Sequence, residues 1–98
     1  MKSKIEILTL LSTTKNELIS LGVSSIGLFG SVVRDEQKED SDIDILIDFE
    51  SEKETFSNYL KACEIIENLF AENKVDIVSE KGLSPFISSY IKNEVIYA

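Results

Sequence analysis

The sequence contains no histidine, no tryptophan, a single cysteine and a single proline. Without histidine, Ser-His-Asp and Cys-His nucleophile pairs are excluded, and so are the usual imidazole ligands of zinc. One cysteine can form neither an intramolecular disulfide nor a thiolate metal cluster. We therefore expect carboxylates to carry any catalytic chemistry.

Positive charge is also scarce. The chain has 10 lysine and arginine residues against 18 aspartate and glutamate residues, which gives a formal net charge of −8, and its only arginine is Arg34. This balance argues against a protein that binds nucleic acid through a basic face. The expected partners are cations, or proteins that carry a basic surface.

Long apolar runs are absent as well. No segment approaches the roughly 20 apolar residues that span a bilayer. The N-terminal segment lacks the apolar block and the small-residue cleavage site of a signal peptide. The length of 98 residues suits one domain, residues 1–98. We therefore expect a single cytoplasmic domain that makes no contact with a membrane.

Hydrophobic periodicity and turn residues predict an alternation of helices and strands. The first predicted helix is an amphipathic segment around 5–11. The capping-box pair Thr14 and Glu17 predicts a second helix, or a restart of the first, that runs to residue 21. Further helices are predicted at 32–37, 55–71 and 83–92. The predicted strands are 23–29, 43–49 and 74–79, and residues 95–97 are either an edge strand or a helix end. This order predicts an α/β (α+β) fold in which helices cover a three- to four-stranded mixed sheet.

Three aspartates stand on two of these predicted strands. Asp42 and Asp44 lie two residues apart at the start of one strand, so their side chains point to the same side. Asp76 lies inside the apolar run VDIV of the next strand and can be brought alongside Asp44. Like charges this close repel each other unless a cation lies between them. The three acids therefore predict a site for two Mg²⁺ ions about 3.5–4 Å apart, an arrangement suited to phosphoryl transfer.

A Gly-Ser turn precedes the acids. Gly30 allows the backbone to approach a ligand closely, and Ser31 begins a predicted helix whose free N–H groups favour phosphate. Arg34 is one turn further on and can reach the same anion. Each feature also has a simpler interpretation: an ordinary turn, a solvated strand end, an edge-strand acid, or an arginine paired with a surface carboxylate. Asp48 we interpret as solvated surface.

The combination of these features carries a family resemblance. Gly30-Ser31, Asp42-Ile43-Asp44 and Asp76 match the motif of the DNA polymerase β-like nucleotidyltransferase superfamily. The stretch FGSVVRDEQKEDSDIDILIDF resembles its smallest branch, the minimal nucleotidyltransferases (MNT), over essentially the whole chain. Val33 stands where alanine is usual in that motif, and Asp35 stands where glycine is usual.

The resemblance implies a small nucleotidyltransferase core in which Asp42 and Asp44 bind Mg²⁺ and contact the nucleotide triphosphate. It also implies Asp76 as the third metal ligand and Gly30-Ser31 as the phosphate-binding turn. MNT proteins are typically antitoxins encoded beside a HEPN-domain toxin, an RNase. The family's enzymes transfer AMP from ATP to a tyrosine of that toxin.

Three functional hypotheses are consistent with these features. The first is a Mg²⁺-dependent adenylyltransferase acting on a tyrosine of a HEPN toxin, with Asp42, Asp44 and Asp76 as catalytic residues and Gly30, Ser31 and Arg34 at the nucleotide. The second is an antitoxin that neutralises its toxin by tight complex formation alone, with its acidic surface on a basic face. The third, nucleotidyl transfer to a small molecule or to RNA, is less favoured because the chain has no second domain for an acceptor pocket and no basic surface. We expect a hetero-oligomer, because so small an enzyme needs a partner surface to complete its site.

Overall fold

Residues 2–98 are described by a computed structural model in which helices pack against one sheet. The helices are α1 (Lys4–Thr13), α2 (Lys15–Ser20), α3 (Phe56–Leu69) and α4 (Pro85–Glu94), with a 3₁₀ turn at Glu80–Gly82. The strands are β1 (Val23–Phe29), β2 (Ile43–Phe49), β3 (Val75–Ser79) and β4 (Ile96–Tyr97). Within residues 2–98, no helix has both the length and the apolar character needed to cross a membrane.

The four strands form a mixed sheet in the order β3-β2-β1-β4. Strand β1 runs antiparallel to both of its neighbours, whereas β2 and β3 are parallel and are connected through α3. The short segment at 95–97, for which the sequence left two possibilities open, contains the edge strand β4. The predicted α/β (α+β) fold with a mixed sheet is therefore confirmed.

Side-chain alternation along β2 divides the sheet into an apolar face and an acidic face. Ile43, Ile45 and Ile47 are fully buried on the apolar face, where they join the core under helices α1 to α3. Most other core members come from those helices and from β1; the core includes Ile7, Leu11, Leu18, Ile26, Leu28, Ala62 and Ile66, together with Phe70 directly after α3. The opposite face presents Asp44 and Asp48, with the buried Leu46 between them.

Helix α4 is packed loosely compared with the helices of the core. Ile91 is its only buried residue, while the large side chains of Phe86 and Tyr90 are 86% and 65% exposed. Polar contacts attach its C-terminal half to the rest of the molecule: Lys92 pairs with Glu80, and Glu94 pairs with Arg34. The last turn of α4 is thereby held next to the C-terminal end of β1.

The structure corrects three local predictions. Residues 31–35 form consecutive turns and no helix is assigned at 32–37, because the i→i+4 bond from Arg34 N–H to Gly30 O is not propagated. Thr14 precedes α2 but forms no capping box, since its hydroxyl donates to Leu11 O at the end of α1. Asp48 is not solvated surface, because it forms a short ion pair with Lys81.

Candidate functional site

The three aspartates predicted from the sequence lie on the acidic face, at the N-terminal ends of β2 and β3. The parallel register pairs Asp44 directly with Asp76. Asp42 precedes Asp44 by two residues, and its carboxylate lies 3.9 Å from the exposed Lys74 ammonium. Asp44 is half-buried and Asp76 is exposed, so the acids line a surface that is open to solvent. The predicted proximity of Asp44 and Asp76 is thus present in the structure.

Asp44 has the most perturbed carboxyl group of this cluster. Desolvation by burial, followed by the negative charges of Asp76 and Asp42, raises the pKa of Asp44 from 3.8 to about 6. Among residues 2–98, none donates a hydrogen bond or provides an ion pair to the Asp44 carboxylate. The site therefore concentrates negative charge at Asp44, which the more distant Arg34 offsets only in part.

Gly30 forms the floor of the turn beside Asp44. Its φ of 81° lies in the left-handed region, and a Cβ added there would overlap the Asp44 carboxylate oxygen Oδ2. The backbone of Gly30 therefore lies directly against the acidic cluster, which only glycine permits. Asp35 has a φ of 57°, also left-handed, at the position where the family motif has glycine. Aspartate tolerates this conformation better than most residues, so the turn keeps its shape.

The hydrogen bonds of the turn show which of its groups are available to a ligand. The Gly30 N–H donates to Glu94 Oε1 at 2.8 Å, so this amide already has an acceptor. In residues 2–98, by contrast, the N–H groups of Ser31 and Val32 and the Ser31 hydroxyl have no acceptor within the protein. An anion at this turn would consequently be bound by Ser31 and Val32, with Gly30 providing close approach.

Arg34 follows the turn and is held by two carboxylates. Its Nη1 donates to both oxygens of Glu94, at 3.1 and 2.9 Å, and its Nε donates to Glu36 at 2.6 Å. The simpler interpretation of Arg34, an arginine paired with carboxylates, is therefore correct as far as it goes. A guanidinium has five N–H donors, and Nη2 forms no hydrogen bond with any of residues 2–98.

Glu94 is the residue of this region that the sequence did not reveal. It lies 64 positions after Gly30, at the end of α4, and no motif or spacing connects the two. The antiparallel pairing of β4 with β1 returns the chain to this end of the sheet, and the last turn of α4 comes with it. Only the tertiary structure shows this contact.

The carboxylate oxygens of the site suit a hard cation such as Mg²⁺, but they do not form a complete set of ligands by themselves. No group of three or more acidic or cysteine side chains among residues 2–98 is gathered closely enough to hold a metal ion. Mg²⁺ in nucleotide sites usually takes one or two carboxylates and completes its shell with water and substrate phosphates. The paired Asp44 and Asp76, with Asp42 beside them, provide oxygen ligands of this kind.

Comparisons with known proteins show the family to which the chain belongs. The family model described as nucleotidyltransferase domain matches residues 11–98. The protein adenylyltransferase MntA of Thermococcus cleftensis is 42% identical over 93 residues, which are 94% of this chain and 92% of that protein.

Two solved structures are also similar. A candidate minimal nucleotidyltransferase is 34% identical, with a TM-score of 0.70, and the match covers 91% of this chain and 93% of that one. A toxin-antitoxin structure with AMP-PNP is 20% identical, with a TM-score of 0.62 over 85% of this chain and 70% of that one, and it supports the fold alone. The family match, the 42% identical relative and the 34% identical structure show that the chain is a nucleotidyltransferase enzyme and belongs to the minimal branch of that family.

Proposed function

We propose that this protein is the antitoxin of a HEPN/MNT-type toxin-antitoxin pair and acts as a Mg²⁺-dependent protein adenylyltransferase. Its substrates would be ATP and a tyrosine of the HEPN RNase toxin, which the added AMP silences. The observation that carries this proposal is the pair Asp44 and Asp76 beside the turn of Gly30 and Ser31, with no cation among residues 2–98 bonded to the Asp44 carboxylate. The 42% identical MntA, which is named a protein adenylyltransferase, supports the choice of a protein acceptor.

The reaction forms a bond between the phenolic oxygen of tyrosine and the α-phosphorus of ATP. It breaks the bond between the α-phosphorus and the bridging oxygen, releases pyrophosphate and frees the phenolic proton. When bound, Mg²⁺, proposed here as two ions, neutralises charge on the triphosphate and on the attacking and leaving oxygens. Asp42, Asp44 and Asp76 would hold these ions, and Asp76, alone or with Asp44, would help to remove the phenolic proton.

The turn would bind the triphosphate. The free N–H groups of Ser31 and Val32 and the Ser31 hydroxyl are suitable donors for phosphate oxygens, and the unused Nη2 of Arg34 adds positive charge nearby. Gly30 would belong to the nucleotide site because its missing side chain lets the backbone of the turn lie directly against the Asp44 carboxylate. An acidic chain can hold a polyanion in this way, since metal ions and turn amides provide the positive field.

The experiment pairs the purified protein with the toxin-like protein encoded beside it, in the presence of ATP and Mg²⁺. Intact-mass and peptide mass spectrometry should find AMP added to a tyrosine of the partner, and chelator should prevent the addition. An active, purified pair that gains no AMP mass under these conditions would contradict the proposal.

The alternative proposal is neutralisation by complex formation without catalysis. The net charge of −8 and the exposed Phe86 and Tyr90 on α4 are compatible with an extensive protein interface. Replacing both Asp42 and Asp44 by asparagine discriminates between the two proposals. Loss of toxin neutralisation by the double variant, with binding to the toxin retained, supports catalysis, whereas undiminished neutralisation supports the complex alone.

A further inference from the structure

Glu94 joins three parts of the molecule at the acidic face. Its Oε1 accepts from the Gly30 N–H at 2.8 Å and from Arg34 Nη1 at 3.1 Å, and its Oε2 accepts from the same Nη1 at 2.9 Å. The Glu94 side chain is only 18% exposed, against 42% for Arg34. The carboxylate of Glu94, the last residue of α4, therefore bonds both to Gly30, where the proposed phosphate-binding turn begins, and to Arg34, which follows the turn.

These contacts leave few orientations for the turn. Gly30 has left-handed backbone, and its N–H direction is fixed by Glu94, so the planes of the following peptide groups are constrained as well. The amides of Ser31 and Val32, which have no acceptor among residues 2–98, are thereby kept outside the chain's own hydrogen bonds. Pre-oriented donors bind an anion more tightly because less conformational entropy is lost on binding.

Arg34 is oriented by the same carboxylate. Glu94 holds Nη1 while Glu36 holds Nε, so the two acids fix the plane of the guanidinium and leave Nη2 unbonded. A guanidinium held on two sides presents its remaining donors in one direction. Without Glu94, Arg34 would keep its exposed contact to Glu36 and would be free to turn toward it.

We infer that Glu94 is a positioning residue of the nucleotide site: by bonding to the Gly30 N–H and to the Arg34 guanidinium, it sets the geometry of the phosphate-binding turn. This inference rests on the proposed function, because it requires that the turn bind ATP phosphates. Glu94 itself does not contact the nucleotide, since its oxygens already accept hydrogen bonds from the turn. The opposite possibility is that Glu94 occupies the place of a phosphate and must leave when ATP binds.

Glu80→Gln is a matched control for Glu94→Gln. Glu80 is also 18% exposed, and it also attaches α4 through a cation of the chain, Lys92. It has no contact with the turn among the bonds of residues 2–98. Both substitutions remove one negative charge and keep the shape and acceptor oxygen of the side chain, so a difference between them reports on the turn.

The first measurement is ATP affinity in Mg²⁺ by calorimetry, without the protein acceptor. Glu94→Gln should weaken ATP binding about five- to tenfold, which equals the contribution of one hydrogen bond of ordinary strength, while Glu80→Gln stays within about twofold of wild type. When Arg34→Met is already present, adding Glu94→Gln should weaken ATP binding by a smaller factor than Glu94→Gln does in the wild-type protein. Unchanged ATP affinity in Glu94→Gln overturns the inference. Tighter ATP binding also overturns it, and would show that the Glu94 carboxylate occupies the place of a phosphate.

The second measurement is amide hydrogen exchange without nucleotide. Exchange at Gly30 and Arg34 should be faster in Glu94→Gln than in Glu80→Gln, although the two variants have similar melting temperatures. Equal exchange in both variants overturns the inference even if wild type binds ATP. If wild type binds no ATP in Mg²⁺, both the proposed function and the inference are wrong. If wild type binds ATP but Glu94→Gln behaves like Glu80→Gln, only the inference is wrong.

Discussion

The two ends of strand β2 carry aspartates on the same face of the sheet, but only one end is neutralised by the chain itself. At the C-terminal end, Lys81 donates to Asp48 Oδ1 and to Phe49 O, both at 2.6 Å. At the N-terminal end, no cation within residues 2–98 bonds to the Asp44 carboxylate, and Asp76 is paired opposite to Asp44. A carboxylate that is paired within the fold stabilises it, whereas two that face each other leave a place for a cation from solution.

The largest difference between the two ends should appear in catalysis. Asp44→Asn should lower adenylyl transfer to the partner on the order of 10²- to 10³-fold, because a group that holds charge in the transition state is lost. Asp48→Asn should stay within about threefold of wild type, since Asp48 is bonded to Lys81 and takes no part in the site. Initial rates of AMP incorporation measure both variants. A comparable loss in the two variants would show that the ends of β2 do not differ in function.

The next effect concerns ligand-induced stabilisation. Mg²⁺ with a non-hydrolysable ATP analogue, present at about 100 times its Kd, should raise the Tm of wild type and Asp48→Asn by about 10 °C. The Tm of Asp44→Asn should hardly change under the same conditions. Thermal unfolding with and without ligand provides the measurement, and Mg²⁺ without nucleotide is the control. Equal stabilisation of all three proteins would place the ligand away from Asp44.

A smaller effect concerns the Tm of the unliganded protein in chelator. Substitutions at the two ends of β2 should change this Tm in opposite directions. The pKa of Asp44 is about 6 in the folded chain, above its ordinary value of 3.8, so the folded state binds the proton more tightly than the unfolded state. The associated stability is present below about pH 4 and is lost as pH rises through about 6. At pH 8, Asp44→Asn should therefore melt a few degrees above wild type, with the effect reduced by the solvent exposure of the site.

The same titration separates the two ends. The higher Tm of Asp44→Asn relative to wild type should disappear below about pH 4, where Asp44 is protonated in both the folded and the unfolded protein. Asp48→Asn should instead melt about one or two degrees below wild type at pH 8, because it leaves Lys81 without its carboxylate. An Asp44→Asn variant that melts below wild type at pH 8 would contradict the crowding of acids at the N-terminal end.

The smallest effect concerns the turn that precedes the acidic end. Asp35 adopts left-handed backbone and forms only a long, exposed ion pair with Lys4, at 3.7 Å. Asp35→Gly removes the strain but makes the unfolded chain more flexible, so the Tm should change by about 2 °C or less and transfer should be unaffected. Glu52→Gly, at a φ of 70° in a different loop, is the matched control. A large loss of transfer in Asp35→Gly alone would assign Asp35 a role beyond turn geometry.

The sequence predicted the architecture because its local patterns agree with the global fold. Alternating apolar residues defined β2 with the same bounds as the structure, and the run VDIV located β3. The proximity of Asp44 and Asp76 also followed from the sequence, because both stand on strands predicted to be neighbours. The prediction of a brief helix at 32–37 was wrong, because the geometry of the loop at 30–42 depends on the strands that it connects more than on its own propensities.

The sequence alone determined the chemical character of this protein. Without histidine and with an excess of acids, carboxylates remained as the expected catalytic groups, and the turn with Ser31 and Arg34 remained to bind phosphate. Residue spacing placed these groups on neighbouring elements. Tertiary structure decided which of these groups are free. Glu94 comes from the end of α4 to bond to Gly30 and Arg34, and Lys81 comes from the turn after β3 to bond to Asp48. The Asp44 carboxylate and the Ser31 hydroxyl, by contrast, form no hydrogen bond or ion pair within residues 2–98. Spacing along a chain fixes local geometry, but the neutralisation of a charge depends on neighbours that only folding brings together.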